Sequence, residues 1–162
     1  MNYGSIATVL LLLMIANGSP VIATRILGNR YAWPLDGGAR FFDGQPLFGR
    51  SKTIRGFSVG IMVPAIAAPL VGLDWRAGAL IAFASMCGDL LSSFIKRRMG
   101  KAPSSKAVGL DQIPESLFPA LLAIPLMGIT PADVAAITIL FFVGELIASQ
   151  VFYALKIRDR PY

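Results

Sequence analysis

Five apolar stretches alternate with polar segments along this chain, and their lengths suit a lipid bilayer. Residues 5–24 carry no charge and include the run VLLLLMIA. About 20 such residues make one membrane crossing. A long polar loop follows over 25–56. Phe57 to Leu73 is again free of charge and reads as a second crossing, with Pro64 and Pro69 expected to bend it. Asp74-Trp75-Arg76 reads as a tight turn with an interfacial aromatic. Ala77 to Ile95 makes a third crossing, and Lys96 to Glu115 a second polar loop. Ser116 to Ile129 is a short fourth crossing interrupted by Pro119 and Pro125. Thr130 and Pro131 suit the N-cap and first position of a helix, so Ala132 to Leu155 reads as the fifth crossing, ahead of a polar tail from Lys156 to Tyr162. The pattern predicts an all-α integral membrane protein of five transmembrane helices, with residues 1–162 forming a single domain.

Charge orients the path. All 15 Lys and Arg except Arg76 lie in the first loop, the second polar loop or the tail. These segments alternate sides in a five-helix path, and cations collect on the cytoplasmic side. The N-terminus is therefore expected outside and the C-terminus in the cytoplasm, in a multi-pass protein of the cell membrane. MNYGS lacks the positive start of a signal peptide, so the first helix is expected to be retained. Charged residues make up 15% of the chain, against about 25% in soluble domains. Histidine is absent, which excludes His-assisted nucleophiles and His-ligated metals. The single cysteine, Cys87, excludes an intramolecular disulfide and reads as a small packing residue. Chemistry must rest on carboxylates, hydroxyls, Lys and Arg, or on a hard cation held by oxygen. The net charge of +6 suits anionic lipid head groups or an anionic substrate at the bilayer surface. No nucleic-acid partner is expected.

Two acids interrupt the apolar spans. Asp89 shares a helical face with Ser92, Ser93 and Lys96, while Leu90, Leu91, Phe94 and Ile95 take the other side. A cluster of cations at a helix end needs no more than the membrane surface to explain it. An acid within an apolar span is costly and marks a functional site by default. Glu145 shares a face with Ser149, Phe152 and Lys156. It suits equally an interhelical fastening and the lining of a site. From the rise per residue, Asp89 lies roughly 18 Å and Glu145 roughly 20 Å from the outer ends of their helices, so both fall in the cytoplasmic half.

The loops add cations and turns. Trp33 to Phe57 reads WPLDGGARFFDGQPLFGRSKTIRGF and sets Arg50, Lys52, Thr53 and Arg55 within six residues, just before a helix. Backbone N–H groups at a helix start, flanked by Lys and Arg, favour phosphate. The spacing of a P-loop is absent. DGGAR at Asp36 to Arg40 is one residue short of the D-G-x-x-A-R of CDP-alcohol phosphotransferases, and Trp33 stands where their preceding acid belongs. That family is rejected. In the second polar loop, Lys96, Arg97, Arg98, Lys101 and Lys106 precede Gly109-Leu110-Asp111-Gln112. Asp89 and Asp111 among these cations suggest Mg²⁺ completed by substrate phosphates; Asp111 also suits a plain acid at a helix start.

G-D-x-x-x-S-x-x-K-R from Gly88 to Arg97, followed by G-x-D-Q from Gly109, resembles the signature of CTP-dependent phosphatidate cytidylyltransferases. The short chain, the five crossings and the run P-L-D … D-G-x-x-L-F-G-x-x-K-T-x-R-G resemble one branch, the CDP-archaeol synthase family. The similarity extends from about Trp33 to Gln112. It implies binding of CTP and Mg²⁺ at the cytoplasmic face. By matched positions, Asp89 and Asp111 would hold metal and serve catalysis with Lys52 and Lys96. Lys52, Thr53, Arg55, Lys96 and Arg97 would hold phosphates, and the motif positions Asp43, Gly49, Ser93 and Gln112 would complete substrate binding. The implied reaction joins CTP and a membrane lipid phosphate into a CDP-lipid with release of pyrophosphate, for phospholipid biosynthesis. The lipid phosphate is dianionic enough to attack without a strong base. A homodimer is compatible with this reading. The competing readings are a small transporter of an anionic solute and a CTP-dependent lipid kinase, which would release a nucleoside diphosphate. The nearly apolar outward connections argue against the transporter.

Overall fold

A computed structural model of the chain describes residues 1–105 and 107–154. Lys106, Leu155, the basic tail 156–162 and the Phe152 side chain lie outside the described residues. Five α-helices follow one another: α1 (Tyr3–Leu27), α2 (Ile54–Ala67), α3 (Trp75–Arg98), α4 (Gln112–Met127) and α5 (Pro131–Ala154). A short 3₁₀ turn, Ala68–Val71, extends α2. Four segments are long and apolar enough to cross a membrane: α1, α2 with its 3₁₀ turn, α3 and α5. The protein is thus an all-helical multi-pass membrane protein. α4 is apolar but has 16 residues, about 24 Å of rise, and falls short of the other four.

Several expected boundaries are corrected. Trp75 and Arg76 are not a turn but the first residues of α3, because the Asp74 carboxylate accepts from the Arg76 N–H at 2.8 Å and caps the helix. The second polar loop ends at Asp111 rather than Glu115, and α4 starts with Gln112. Pro119 and Pro125 lie inside α4 without interrupting it. Packing of its neighbours holds such prolines in membrane helices. Pro69 marks the change from α-helix to 3₁₀ turn instead of a mid-span bend. Thr130 caps α5 as expected, and the cap is reciprocal: its hydroxyl accepts from the Asp133 N–H, while the Asp133 carboxylate accepts from the Thr130 N–H at 2.9 Å. The same carboxylate accepts from the Asn2 N–H at 3.2 Å, so the beginnings of α1 and α5 lie together.

The core is assembled from single helical faces. On α1, Val9, Leu12, Leu13 and Ala16 are buried at i, i+3, i+4 and i+7, while Leu11 and Met14 are exposed as lipid-facing positions are. Val9, Leu12 and Leu13 join Ile81 of α3, Ala120 and Ala123 of α4, and Ile137 and Phe141 of α5 in one core cluster, while Ala16 packs with Ala82 and Met86 of α3. α1 touches all four other helices, and α3 packs on α1, α2 and α4. Small residues let α3 approach: a Cβ on Gly78 would meet the Ala68 Cβ at 2.4 Å, and one on Gly88 would meet the Pro114 carbonyl oxygen at 2.3 Å. Membrane helices associate through such close packing, since lipid is as apolar as the side chains themselves.

Candidate functional site

The long first loop is built to stand over the helix ends. Its neck closes where the Leu35 N–H donates to the Lys52 carbonyl at 2.8 Å and the Ile54 N–H to the Trp33 carbonyl at 3.0 Å. Asp36 organises the interior. Its carboxylate accepts from the N–H groups of Gly38, Phe48 and Gly49 at 2.9, 3.0 and 3.1 Å. Burial alone would raise the Asp36 carboxyl; the N–H bonds from Phe48, Gly38 and Gly49 together outweigh it and hold the group below the ordinary value. Gly49 takes φ +94°, and a Cβ there would press on the Arg97 guanidinium at 3.4 Å. Arg98 fastens the loop to α3. Its guanidinium lies over Phe41 and Phe94 at 4.9 and 4.7 Å from the ring centres, pairs with Asp43 at 2.7 Å and donates to the Pro46 carbonyl.

This docking delivers Lys52 to α3. Its ammonium meets both oxygens of Asp89, at 2.6 and 2.5 Å. Asp89 precedes the end of α3 by nine residues, about 14 Å of rise, so the loop reaches inward instead of lying on the surface. A second pair forms where α3 exits: the Lys96 ammonium meets Asp111 at 2.6 Å and donates to the Ser105 carbonyl. Asp111 also accepts from the Ala107 N–H at 2.9 Å, closing the turn ahead of α4 without capping α4 itself. The Ser92 hydroxyl sits between the Gly88 and Leu110 carbonyls at 2.9 and 2.6 Å, joining the α3 stripe to this turn.

Both ion pairs line one open cavity of about 870 Å³, within the range of ligand-binding sites. Of the residues expected at a site, Lys52, Thr53, Asp89, Lys96, Asp111 and Gln112 lie on its wall. Thr53 also caps α2, accepting from the Gly56 N–H at 3.0 Å. Arg55, expected to hold phosphate, does not lie on this wall. It is buried and ties α1 to α2, donating to the Gly28 and Arg30 carbonyls and to the Thr24 hydroxyl. Arg97 donates to the Ala102 carbonyl at 2.7 Å, Asp43 belongs to Arg98, Gly49 to the loop scaffold, and Ser93 is buried; these four stand off the cavity wall. Glu145 fills both of its expected roles. It accepts from the Gln112 amide at 2.8 Å and lines the cavity.

The cavity also contains groups the sequence reading passed over. Glu115, placed there at the end of a loop, is buried in the first turn of α4 and lines the wall with Asn17 of α1. Asn17 approaches Glu115, yet its Nδ2 and Glu115 Oε1 are buried without completing a hydrogen bond. Gln112, Glu115 and Ser116 recur at i, i+3 and i+4, a polar stripe that would have exposed Glu115 had α4 been started at Gln112. Asn17 is a lone amide in an apolar span, also a detectable signal.

The donor set is carboxylate oxygen: Asp89, Asp111, Glu115 and Glu145 share the cavity. Among the described residues, no three acidic, His or Cys side chains converge tightly enough to cage a metal alone. That chemistry fits Mg²⁺, which takes one or two carboxylates and completes its shell with water and substrate phosphates. Glu115 Oε1, buried without a partner, fits it as well. Two lysines in the same wall fit a polyphosphate.

Comparisons with known proteins place the chain among characterised relatives. A family model described as CarS-like, CDP-archaeol synthase, matches residues 75–162. The CDP-archaeol synthase of Sulfurisphaera tokodaii is 32% identical, over 92% of this chain and 90% of its own. That of Hyperthermus butylicus is 33% identical, over 90% and 87%, and that of Pyrococcus furiosus 32%, over 91% and 90%. A solved structure described as an intramembrane enzyme for archaeal membrane lipids biosynthesis superposes with a TM-score of 0.70 at 32% identity, over 87% of this chain and 90% of that one.

Proposed function

The chain belongs to the CDP-archaeol synthase family, and on that premise we propose that its cavity joins CTP to a membrane lipid phosphate through the paired groups Lys52–Asp89 and Lys96–Asp111. The protein is a CTP-dependent cytidylyltransferase that makes a CDP-lipid. The relatives' name points to an ether-linked isoprenoid lipid phosphate as the acceptor. The observation that carries the residue assignment is the meeting of two Lys–Asp pairs, from separate segments, on one cavity.

The chemistry is charge management. An oxygen of the lipid phosphate attacks the α-phosphorus of CTP, that bond forms, the bond to the β-phosphate breaks, and pyrophosphate leaves with the electron pair. Two anions must approach, and negative charge grows on the leaving group. Lys52 and Lys96, each already held by a carboxylate, are positioned to bind the triphosphate and stabilise that charge. Asp89 and Asp111 are the residues that would hold Mg²⁺, with Glu115 beside Asp89. The ion, when bound, supplies further neutralisation of the phosphates. Gln112, fixed by the Gly109 N–H and by Glu145, keeps the turn bearing Asp111 in place. The carboxylates line one cavity from α3, the turn before α4, α4 and α5, and the cation bias of the loops supports a cytoplasmic opening with the N-terminus outside.

Purified protein given labelled CTP, Mg²⁺ and a panel of lipid phosphates is expected to form CDP-lipid and pyrophosphate. Lys52→Ala and Lys96→Ala should each raise the KM for CTP. Release of CDP instead of pyrophosphate would replace nucleotidyl transfer with a kinase reaction. The relatives named above are synthases, which supports neither the kinase nor the transporter.

A further inference from the structure

The first loop carries a small hairpin whose apex presents an uncovered aromatic ring. Arg40 and Pro46 pair across it, the Phe41 N–H donates to the Gln45 carbonyl at 2.9 Å, and the Gly44 N–H donates to the Phe41 carbonyl at 2.9 Å. Asp43 holds the turn from within, accepting from the Gln45 N–H at 3.0 Å. Phe42 stands at the apex, 100% exposed and edge-on to Phe41 with ring centres 5.1 Å apart. A single exposed apolar side chain on a protein surface needs no explanation. This one, however, stands on a surface that meets lipid. Phe41 packs edge-on against Phe94 of α3, with ring centres 5.2 Å apart. Phe94 continues a stripe through Leu80, Phe83, Cys87 and Leu91, in steps of three and four residues. Leu80, Phe83 and Leu91 are exposed, whereas Ile81, Ala82, Ser85 and Ser92 on the other side of α3 are buried. The hairpin therefore rests on the side of α3 that faces lipid. Its height follows from helix length. α3 has 24 residues, about 36 Å of rise against a hydrocarbon core of about 30 Å. Lys96, Arg97 and Arg98 take up the surplus, which sets Phe94, about 6 Å before Arg98, at the edge of the core.

We propose that the hairpin 40–46 is a membrane wedge: Phe42 inserts its ring among the lipid chains just beneath the head groups, and the bilayer thereby supports the loop that carries Lys52. The occupant is lipid because the surface continues the lipid-facing stripe of α3. Charge agrees with this. Arg40 is exposed at the base of the hairpin, where the phosphates of anionic head groups attract it. Met99, exposed where α3 ends, adds apolar surface beside it. An aromatic ring in the acyl boundary with a cation among the head groups is how interfacial segments bind a membrane. The ring adds a third support to a loop already held by Asp36 from inside and by Arg98 from α3.

The wedge does not depend on the reaction assigned above, so its test needs no turnover. Phe42→Cys and Gln45→Cys, each in a Cys87→Ser background, are labelled with an environment-sensitive fluorophore and placed in vesicles of phosphatidylcholine and phosphatidylglycerol. Nitroxide lipids, spin-labelled at the head group or deep in the acyl chain, read the depth of each label. The label at 42 should lie about 5–10 Å into the boundary between head groups and acyl chains and be shielded from iodide. The label at 45 should stay open to iodide. Equal iodide access at both positions, without quenching by either nitroxide lipid, overturns the wedge. Shielding of position 42 from iodide and from lipid alike shows the ring covered by a second copy of the chain and overturns it too. If the labelled variants fail to fold, the unaltered protein is irradiated with a lipid carrying a photoreactive group next to its head group. Crosslinks to 41–42 support the wedge, and crosslinks to α3 with none in 40–46 overturn it.

Discussion

Gly88→Ala is the most demanding test of how α3 and α4 assemble the site. The added methyl would stand 2.3 Å from the Pro114 carbonyl oxygen, 2.4 Å from its carbonyl carbon and 2.6 Å from the Glu115 nitrogen. All three atoms are backbone, so no side chain can rotate away. Ordinary carbon–carbon contact lies near 3.5–4.0 Å, so the first turn of α4 must retreat by about 1 Å or more. Overpacking of this kind costs about 1–3 kcal/mol, at the upper end where backbone must move. Asp89 follows Gly88, and Glu115 follows Pro114; the retreat would part the two carboxylates and disturb the turn bearing Asp111. Misplacement by about 1 Å costs on the order of 10²-fold in rate. The assay is CTP-dependent CDP-lipid formation, with Tm in detergent measured on the same preparation. Gly4→Ala is the control, since its Cβ would meet only Asn2 Oδ1 at 3.8 Å; a helical Gly→Ala change there should be neutral or stabilise by up to about 1 kcal/mol. If Gly88→Ala kept its activity within about threefold and its Tm unchanged, the close approach would not be what sets the site, and the argument would fail.

The first loop should respond to acid through Asp36. Its native carboxyl is held below the ordinary value, so the ionised form contributes stability above the unfolded-state value, about 3.9, and that contribution is lost as pH falls through the depressed native value. The protection factors of the Phe48 and Gly49 amides, taken against the intrinsic exchange rate at each pH, should therefore fall in acid; Asp36→Asn should show lower protection at neutral pH and a flatter pH response, and an unchanged profile would remove Asp36 as the organiser. For topology, Gln45→Cys and Ser104→Cys, made in a Cys87→Ser background, should react with an impermeant thiol reagent only from the cytoplasmic side. Reaction from outside in intact cells would reverse the orientation.

Much of the architecture was legible from local pattern. A membrane span announces itself by uninterrupted apolar length, and α1, α3 and α5 appear within a few residues of their expected places. The Thr130 cap was legible too, because a cap is a contact between near neighbours. Asp89 was detectable because an acid in an apolar span is costly wherever the helix packs. The motif order brought Lys52, Lys96, Asp111 and Gln112 into consideration, and all four reach the cavity. Boundaries failed where one local signal competed with another. Trp75-Arg76 resembles an interfacial turn until the Asp74 cap is seen, and the polar residues of Gln112-Ile113-Pro114-Glu115 hide a first helical turn.

The sequence by itself determined the membrane class, the helical periodicity and the supply of chemistry: carboxylates and cations, with no histidine. These depend on transfer free energy and on short-range geometry, which each segment carries wherever it is placed. Partnership was decided only in three dimensions. Arg55 and Lys52 stand three residues apart in one motif, yet Arg55 is consumed by carbonyls at the end of α1 while Lys52 reaches Asp89. Glu115 enters the cavity because Gly88 lets α4 approach α3, and Asn17 joins it from a helix some hundred residues away in the chain. A small cavity between α1 and α5 belongs to neither helix alone. Two glycines, Gly18 and Gly144, leave this shared gap only after the bundle has closed. Charges and hydrogen-bond donors act over a few ångströms, and the chain's order along its length does not state which groups come within that range.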